Sequence, residues 1–243
     1  MRAAVIVPAF EAQSQLETVL APLCAIWPHR EGVLVVNDGS TDDTTKVAES
    51  HGARVMQHKK NLGKGAALRT GLREAARLGF DVAVTLDADG QHPATEALRL
   101  HRSCDDAAAL VLGVRDMVAA GAPRASQLSN RFSNVVLSGF TGVWLSDTQC
   151  GLRRYPIAAT LALGGRALGY GYEAEIVILA CASKMRVVEH PINVVYPPEN
   201  ERLSHFHPLR DPARIVSRVV RTVAITRARQ LWQHTRQTRV PWR

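Results

Sequence analysis

Val82-Ala83-Val84-Thr85-Leu86, running straight into Asp87-Ala88-Asp89-Gly90-Gln91-His92-Pro93, is the stretch on which the fold turns. A short apolar, β-branched run bounded by turn residues reads as a buried strand. It ends in two carboxylates two positions apart, and in a strand residues i and i+2 point the same way. Carboxylates held together repel unless a positive charge lies between them. A divalent cation that prefers oxygen ligands, Mg²⁺ or Mn²⁺, suits such a pair, with phosphates of a bound partner filling its remaining positions. Asp and Gly are also ordinary turn residues at strand ends.

Working outward, short apolar runs alternate with helical patterns. Ala3–Pro8, Val33–Asn37, Ala53–Gln57, Val82–Leu86 and Ala108–Val114 read as strands. Gln13–Ile26, a segment from Thr41 or Asp42 to His51, Lys64–Leu78 and Ala94–Asp105 read as helices. That alternation predicts an α/β fold with a mostly parallel sheet covered on both faces. In such sheets the ligand sits beyond the carboxyl ends of the strands. Those ends carry Pro8-Ala9-Phe10-Glu11, Asn37-Asp38-Gly39-Ser40, the Asp87/Asp89 pair and Gly113-Val114-Arg115. The second half is less regular: a loop at Met117–Pro123, a helix over Ser126–Phe140, a turn at Asp147–Gly151 and a helix over Tyr172–Ser183. Val187–Val195 reads as one or two strands broken by Pro191, and Tyr196–Pro212 as a proline-rich loop.

The 243 residues are 46% hydrophobic, enough for one sizeable core. Met1-Arg2 leads into a strand-like run without a cleavage site, so no secretory leader is expected. No apolar stretch reaches the roughly 18 residues of a spanning helix. Cys24, Cys104, Cys150 and Cys181 are scattered without metal spacing and read as reduced, mostly buried thiols of a cytosolic protein. The net charge of +8 is unevenly placed: residues 1–202 hold 21 basic and 21 acidic groups, while nine arginines and one aspartate follow Leu203. Such asymmetry points to an anionic surface as partner. Ile215, Val216, Val219, Val220 and Val223 share one helical arc opposite Arg214, Arg218 and Arg221, and Arg229, Trp232 and Trp242 lie further on. This is the pattern of an interfacial helix, although the valine arc could equally pack on the domain. Nucleic acid is not expected: aromatics are few and no recognition module is apparent.

Three further motifs bear chemistry. Asp38, at a strand end that opens a helix, can accept hydrogen bonds from a base or ribose, or serve as a capping residue. Asn61-Leu62-Gly63-Lys64-Gly65 places a lysine and two glycines at a helix start, where a phosphate can approach; it is not the P-loop pattern. Asp147-Thr148-Gln149-Cys150-Gly151-Leu152-Arg153 offers Asp147 as a general base or an acceptor near the reacting group, or as an Asx-turn. Arg115, Arg124 and Arg131 are candidate phosphate ligands or surface residues, and Glu173 and Glu175 could face the same cleft.

These motifs, in this order and at these distances, resemble glycosyltransferase family 2, in particular its dolichyl-phosphate mannosyltransferase-like (polyprenyl-phosphate hexosyltransferase) branch, over roughly residues 3–205. The resemblance implies a GT-A, Rossmann-like fold and an inverting transfer of a hexose from a UDP- or GDP-linked donor. By its pattern Pro8, Phe10, Glu11 and Asp38 would hold the nucleotide, with Lys64 by the phosphates. Asp87, Asp89 and Gln91 would bind Mg²⁺ or Mn²⁺ with the diphosphate. Arg115, Arg131 and Asn134 would face an acceptor phosphate, with Asp147 and Gln149 near the sugar. Arg202 and Ser204 would belong to a loop closing over the donor. There His205 stands where the pattern has lysine; an imidazole is mostly neutral at pH 7, which leaves a hydroxyl acceptor on a glycolipid or polysaccharide precursor open beside the polyprenyl phosphate. A nucleotidyltransferase would carry a Gly-rich, Arg-containing loop after the first strand, where this chain has Pro8–Glu11. A non-catalytic membrane- or nucleic-acid-binding module is a remoter alternative. The expected organisation is a catalytic domain at 1–207 and a basic, membrane-associating tail at 208–243, peripheral on the inner face of the cytoplasmic membrane through Arg214, Arg218, Arg221 and Arg229.

Overall fold

Seven consecutive apolar residues, Ala3–Ala9, leave a strand no polar face, so it must be covered on both sides. The computed structural model, which describes residues 1–196, places this strand, β1, inside a seven-stranded sheet. The others are β2 (Val33–Asn37), β3 (Arg54–Gln57), β4 (Val82–Thr85), β5 (Leu110–Arg115), β6 (Arg153–Pro156) and β7 (Val187–Ile192). The order is β3-β2-β1-β4-β6-β5-β7, and every strand is parallel except β6, which lies antiparallel between β4 and β5. The α/β sheet is therefore mixed and mostly parallel, as expected.

Alternation within β1 sends its side chains to two cores. Ala4 and Ile6 join Leu34, Leu68, Leu72 and Ile176 on one face, under α3 (Lys64–Arg77), α6 (Ile157–Leu163) and α7 (Gly171–Ala182). Val5 and Val7 join Leu16, Leu20, Val35 and Leu100 on the other, under α1 (Gln13–Ile26), α2 (Thr44–Ser50) and α4 (Ala94–Arg102). Helix α5 (Arg124–Thr141) packs beside α7.

Four expectations are corrected. Helix α2 begins at Thr44 rather than at Thr41 or Asp42, because the Asp42 carboxylate accepts from Thr44 N and, across the loop, from Gln13 N. Helix α5 starts two residues earlier than expected, directly after Pro123. Val187–Ile192 is one strand that runs through Pro191, tolerated because β7 is an edge strand. Of the four cysteines only Cys150 is fully buried. Strand β6 and helix α6 were not foreseen. Among the described residues no helix is long and apolar enough to cross a membrane. The expected loop residues Arg202, Ser204 and His205, the 207/208 boundary and the arginine-rich helix lie outside the described residues.

Candidate active site

The carboxyl ends of β1, β2 and β4 form a continuous polar edge. At the end of β1, Glu11 adopts φ 48°, a conformation non-glycine residues rarely hold outside functional loops. Its backbone N donates to Ser40 Oγ at 2.9 Å, and its carboxylate accepts from Thr41 N and Thr41 Oγ1 at 2.8 and 3.1 Å. The loops after β1 and β2 are thus stitched together, with Pro8 and Phe10 half-buried beside them. Asp38, buried at the end of β2, accepts from Gly63 N at 2.6 Å, Leu62 N at 2.9 Å and His58 Nδ1 at 2.6 Å. Its carboxylate shapes the start of α3, and His58 in turn meets Thr70 at 2.9 Å. Gly39 (φ +81°) and Gly63 (φ +92°) hold the turns on either side of that contact, positions where a Cβ would collide with backbone.

Beyond β4, Lys64 Nζ lies 2.6 Å from Asp87 Oδ1 and 3.2 Å from Glu173, with the Tyr170 ring centroid at 5.8 Å. Burial alone would lower the Lys64 pKa, but the two carboxylates outweigh it and hold the ammonium firmly protonated. Burial likewise favours the neutral form of Asp87, and the Lys64 ammonium reverses this, keeping its pKa below the ordinary value. Gly151 closes the site from behind: a Cβ there would overlap Asp87 Oδ2 and reach within 2.9 Å of Lys64 Nζ. Asp89, at the exposed rim, is different. Its carboxylate accepts from Gln91 N at 3.0 Å, and among the described residues no ion pair reaches it. The surrounding protein and the charge of Asp87 push it up to about 6. His92, buried beside these groups, is pushed down to about 4 by burial and is neutral at pH 7, and its Nδ1 has no hydrogen-bond partner among the described residues.

The donor set fits a divalent cation in one particular way. Among the described residues no three His, Cys, Asp or Glu side chains cluster as a self-sufficient metal cage. Among the described residues Asp89 has no cationic partner, and it lies beside a second carboxylate that lysine already neutralises. That suits an ion held by one or two carboxylates and completed by phosphate oxygens and water, as Mg²⁺ commonly is. The Gln91 carbonyl accepts from Val195 N at 2.8 Å, which ties this loop to the end of β7.

On the far side, Arg115 at the end of β5 grips Asp147 with Nε at 2.7 Å and Nη2 at 3.0 Å. The Asp147 side chain is fully buried and also accepts from Arg115 N and Gln149 N. Burial would lower the Arg115 pKa; its bonds to Asp147 raise it instead. Residues 145–149 are riveted to α5: Asn134 Nδ2 donates to Ser146 O at 2.6 Å, and Asn134 Oδ1 accepts from Thr148 N at 2.8 Å. Ser133 meets Thr148 at 2.9 Å, and Gln149 Nε2 donates to Ser129 Oγ at 3.3 Å. Underneath, the fully buried Arg153 donates to Cys150 O, Glu173 O and Thr148 O at 2.8, 2.9 and 2.7 Å.

The structure thus gathers Lys64, Asp87 and Glu173 at one point, with Asp89 and Gln91 at its rim, and Arg115, Asp147 and Gln149 at the neighbouring strand end. Asn134 is occupied by the loop backbone, and Arg131 is exposed on α5. Glu175 does not face the cleft: it accepts from Arg166 N and Ala167 N. Sequence reading missed His58, which stands 20 positions from Asp38 with no motif linking them, and the packing role of Gly151. A glycine in the Asp147–Gly151 turn was the available signal for the second.

Residues 4–156 match the family model described as glycosyl transferase family 2. The chain belongs to glycosyl transferase family 2. As a member of that family it is a nucleotide-sugar glycosyltransferase. It is 29% identical to the UDP-N-acetylglucosamine–dolichyl-phosphate N-acetylglucosaminyltransferase of Methanococcus voltae, over 79% of this chain and 84% of the relative. It is 29% identical to the undecaprenyl-phosphate mannosyltransferase of Micrococcus luteus, over 80% of this chain and 84% of the relative. Glucosyl-3-phosphoglycerate synthase of Mycobacterium tuberculosis, solved with Mn²⁺, UDP and phosphoglyceric acid, superposes with a TM-score of 0.70 at 20% identity. The match covers 93% of this chain and 78% of that one, and shows that this family 2 glycosyltransferase has the same GT-A-like fold.

Proposed function

We propose that this glycosyltransferase moves a hexose, with inversion, from a UDP- or GDP-sugar to a polyprenyl phosphate at the cytoplasmic membrane face. The observation that carries the choice of acceptor is the Arg115–Asp147 pair. Asp147 was the candidate base for a hydroxyl acceptor, but its carboxylate is buried and accepts from both arms of a guanidinium, so it has no free lone pair aimed at solvent. A phosphate acceptor is already anionic and needs no base. Two relatives named for polyprenyl-phosphate acceptors support the same reading.

On this reading Asp87, Asp89 and the side chain of Gln91 would hold the divalent cation at the donor site. When bound, Mg²⁺ or Mn²⁺ supplies Lewis-acid stabilisation of the departing nucleoside diphosphate. Structures of the Mycobacterium tuberculosis synthase hold such an ion with UDP. Lys64 contributes a fixed positive charge beside the phosphates. The loops joined by Glu11, Ser40 and Thr41, with Pro8, Phe10 and Asp38 behind them, form the wall against which the nucleotide lies. Arg115, held in one orientation by Asp147, and Arg131 on α5 face the acceptor phosphate, and Gln149 lines the space for the sugar. An acceptor oxygen attacks the anomeric carbon opposite the diphosphate, the carbon–oxygen bond to the diphosphate breaks, and no proton need be taken from the nucleophile. Arg202 and Ser204 would act at the donor, and the segment 208–243 would associate with anionic lipid through Arg214, Arg218, Arg221 and Arg229, all outside the described residues.

The test is a panel of UDP- and GDP-hexoses with polyprenyl phosphate or neutral glycolipid as acceptor, Mn²⁺ present, and products read by mass spectrometry. Glycosyl phosphodiesters are expected; product on hydroxyls alone overturns the reading. Asp147→Asn separates anchor from base: an anchor lowers transfer about tenfold at every pH, whereas loss of a base removes one limb of the pH profile.

A further inference from the structure

Helix α5 has two faces of opposite kind. The inner face, Ser129, Ser133 and Asn134, holds the loop at 146–149 that carries Asp147 and Gln149. The outer face carries Leu128, Phe132 and Val135, 67%, 60% and 59% exposed, within an arc of about 60° at about 100° per residue. Just past the helix end Val143 and Trp144 are exposed as well, the latter 70%. Arg124 and Arg131 flank this arc and are exposed, and residues 117–146 contain no carboxylate. Large apolar side chains grouped on an exposed helix face, unlike singly scattered ones, mark an interaction site.

We infer that the outer face of α5, with the Val143-Trp144 corner, seats on an anionic lipid bilayer, with its side chains among the headgroups and acyl boundary. Charge decides the occupant. Among the described residues neither Arg124 nor Arg131 has an ion-pair partner; the segment following Leu203 brings nine arginines against one aspartate, and a second copy meeting the patch with its own would bring two more arginines. Anionic headgroups bring the opposite charge, and an aromatic side chain beside an arginine-flanked apolar stripe is the composition of an interfacial helix. The patch is also well placed, because the helix that would touch lipid is bonded directly to the loop of the acceptor side. This inference rests on the polyprenyl-phosphate reading only for its purpose, delivery of a lipid-borne phosphate to Arg115; the docking itself is tested apart from it.

The full chain with Trp27, Trp232 and Trp242 replaced by Phe leaves Trp144 as sole reporter. Titrated with vesicles of equimolar phosphatidylglycerol and phosphatidylcholine, its emission shifts to the blue and is quenched by bromine-labelled acyl chains. Vesicle binding without quenching overturns the inference in favour of the C-terminal segment acting alone. Emission already blue and unmoved by vesicles shows that the chain's own tail covers the face; concentration-dependent emission with a dimer in sedimentation shows a second copy. A Phe132→Ser/Trp144→Ser variant is expected to lose about tenfold in transfer to acceptor in vesicles and nothing with a short-chain, water-soluble acceptor. Equal loss with both acceptors also overturns the inference. Quenching without transfer to any polyprenyl phosphate keeps the docking and removes the acceptor reading; transfer without quenching does the reverse.

Discussion

Asp89 and Asp87 share a strand end, yet among the described residues a cationic side chain pairs with Asp87 alone of the two. Asp89 therefore reports on what the site awaits. Its folded pKa lies near 6, above the 3.8 of the free side chain, so the native state holds the proton more tightly than the unfolded chain does. Its ionisation thus costs stability as pH rises from about 4 through about 6. Asp89→Asn is expected to raise the melting temperature of the metal-free protein above that window and to leave it unchanged below. The group is exposed, so water keeps the gain under about 1 kcal/mol. The same variant is expected to lose the Mn²⁺ dependence of donor binding and roughly 100-fold or more in transfer. Donor binding titrated with Mn²⁺ at two pH values checks both halves, and unchanged metal dependence would remove Asp89 from the metal site.

At the scale of elements, β6 does the most for the site and was the hardest to read. Arg153-Arg154-Tyr155-Pro156 has no apolar alternation, and two adjacent arginines ordinarily mark a surface. Both are fully buried; Arg154 donates to the carbonyls of His101, Cys104 and Asp106 and Arg153 to that of Glu173, acceptors distant in sequence that no local pattern encodes. Arg153→Met would leave three carbonyls without a donor and is expected to cost about 3 kcal/mol or more, read as a fall in urea midpoint. Gly151, just before β6, tests position rather than stability. Gly151→Ala is expected to push Asp87 off Lys64 and weaken metal-dependent donor binding about tenfold while the melting temperature moves little; unaltered donor binding would show that the pair tolerates displacement. By contrast β1, β2 and β4 were legible, since buried parallel strands are continuous apolar runs. So was the clustering of Asp38, Asp87, Asp89 and Arg115, because strand ends share an edge. What the sequence could not show was how those groups pair: Lys64 with Asp87, Arg115 with Asp147 and His58 with Asp38 are meetings across the sheet edge.

At the scale of the molecule, charge is divided between a neutral region, residues 1–202, and an arginine-rich end, and the proposed function gives each its own task. If α5 and the C-terminal segment both meet lipid, removing residues 208–243 should weaken vesicle binding and flatten its salt dependence without abolishing either, while donor turnover persists; vesicle flotation over a salt series measures this. Complete loss of binding would leave α5 no share in the contact. The antiparallel insertion of β6 has a further consequence, for biosynthesis. As the chain leaves the ribosome, β1, β2, β3 and β4 can pair as soon as residue 85 is free, but the flank of β4 gains its neighbour only when residues 153–156 emerge. Until then a flat apolar edge strand is open, the condition under which nascent chains pair with one another. The interval ends with the strand that also places Gly151 behind Asp87, so a chain released from that hazard is one whose catalytic edge has just been completed.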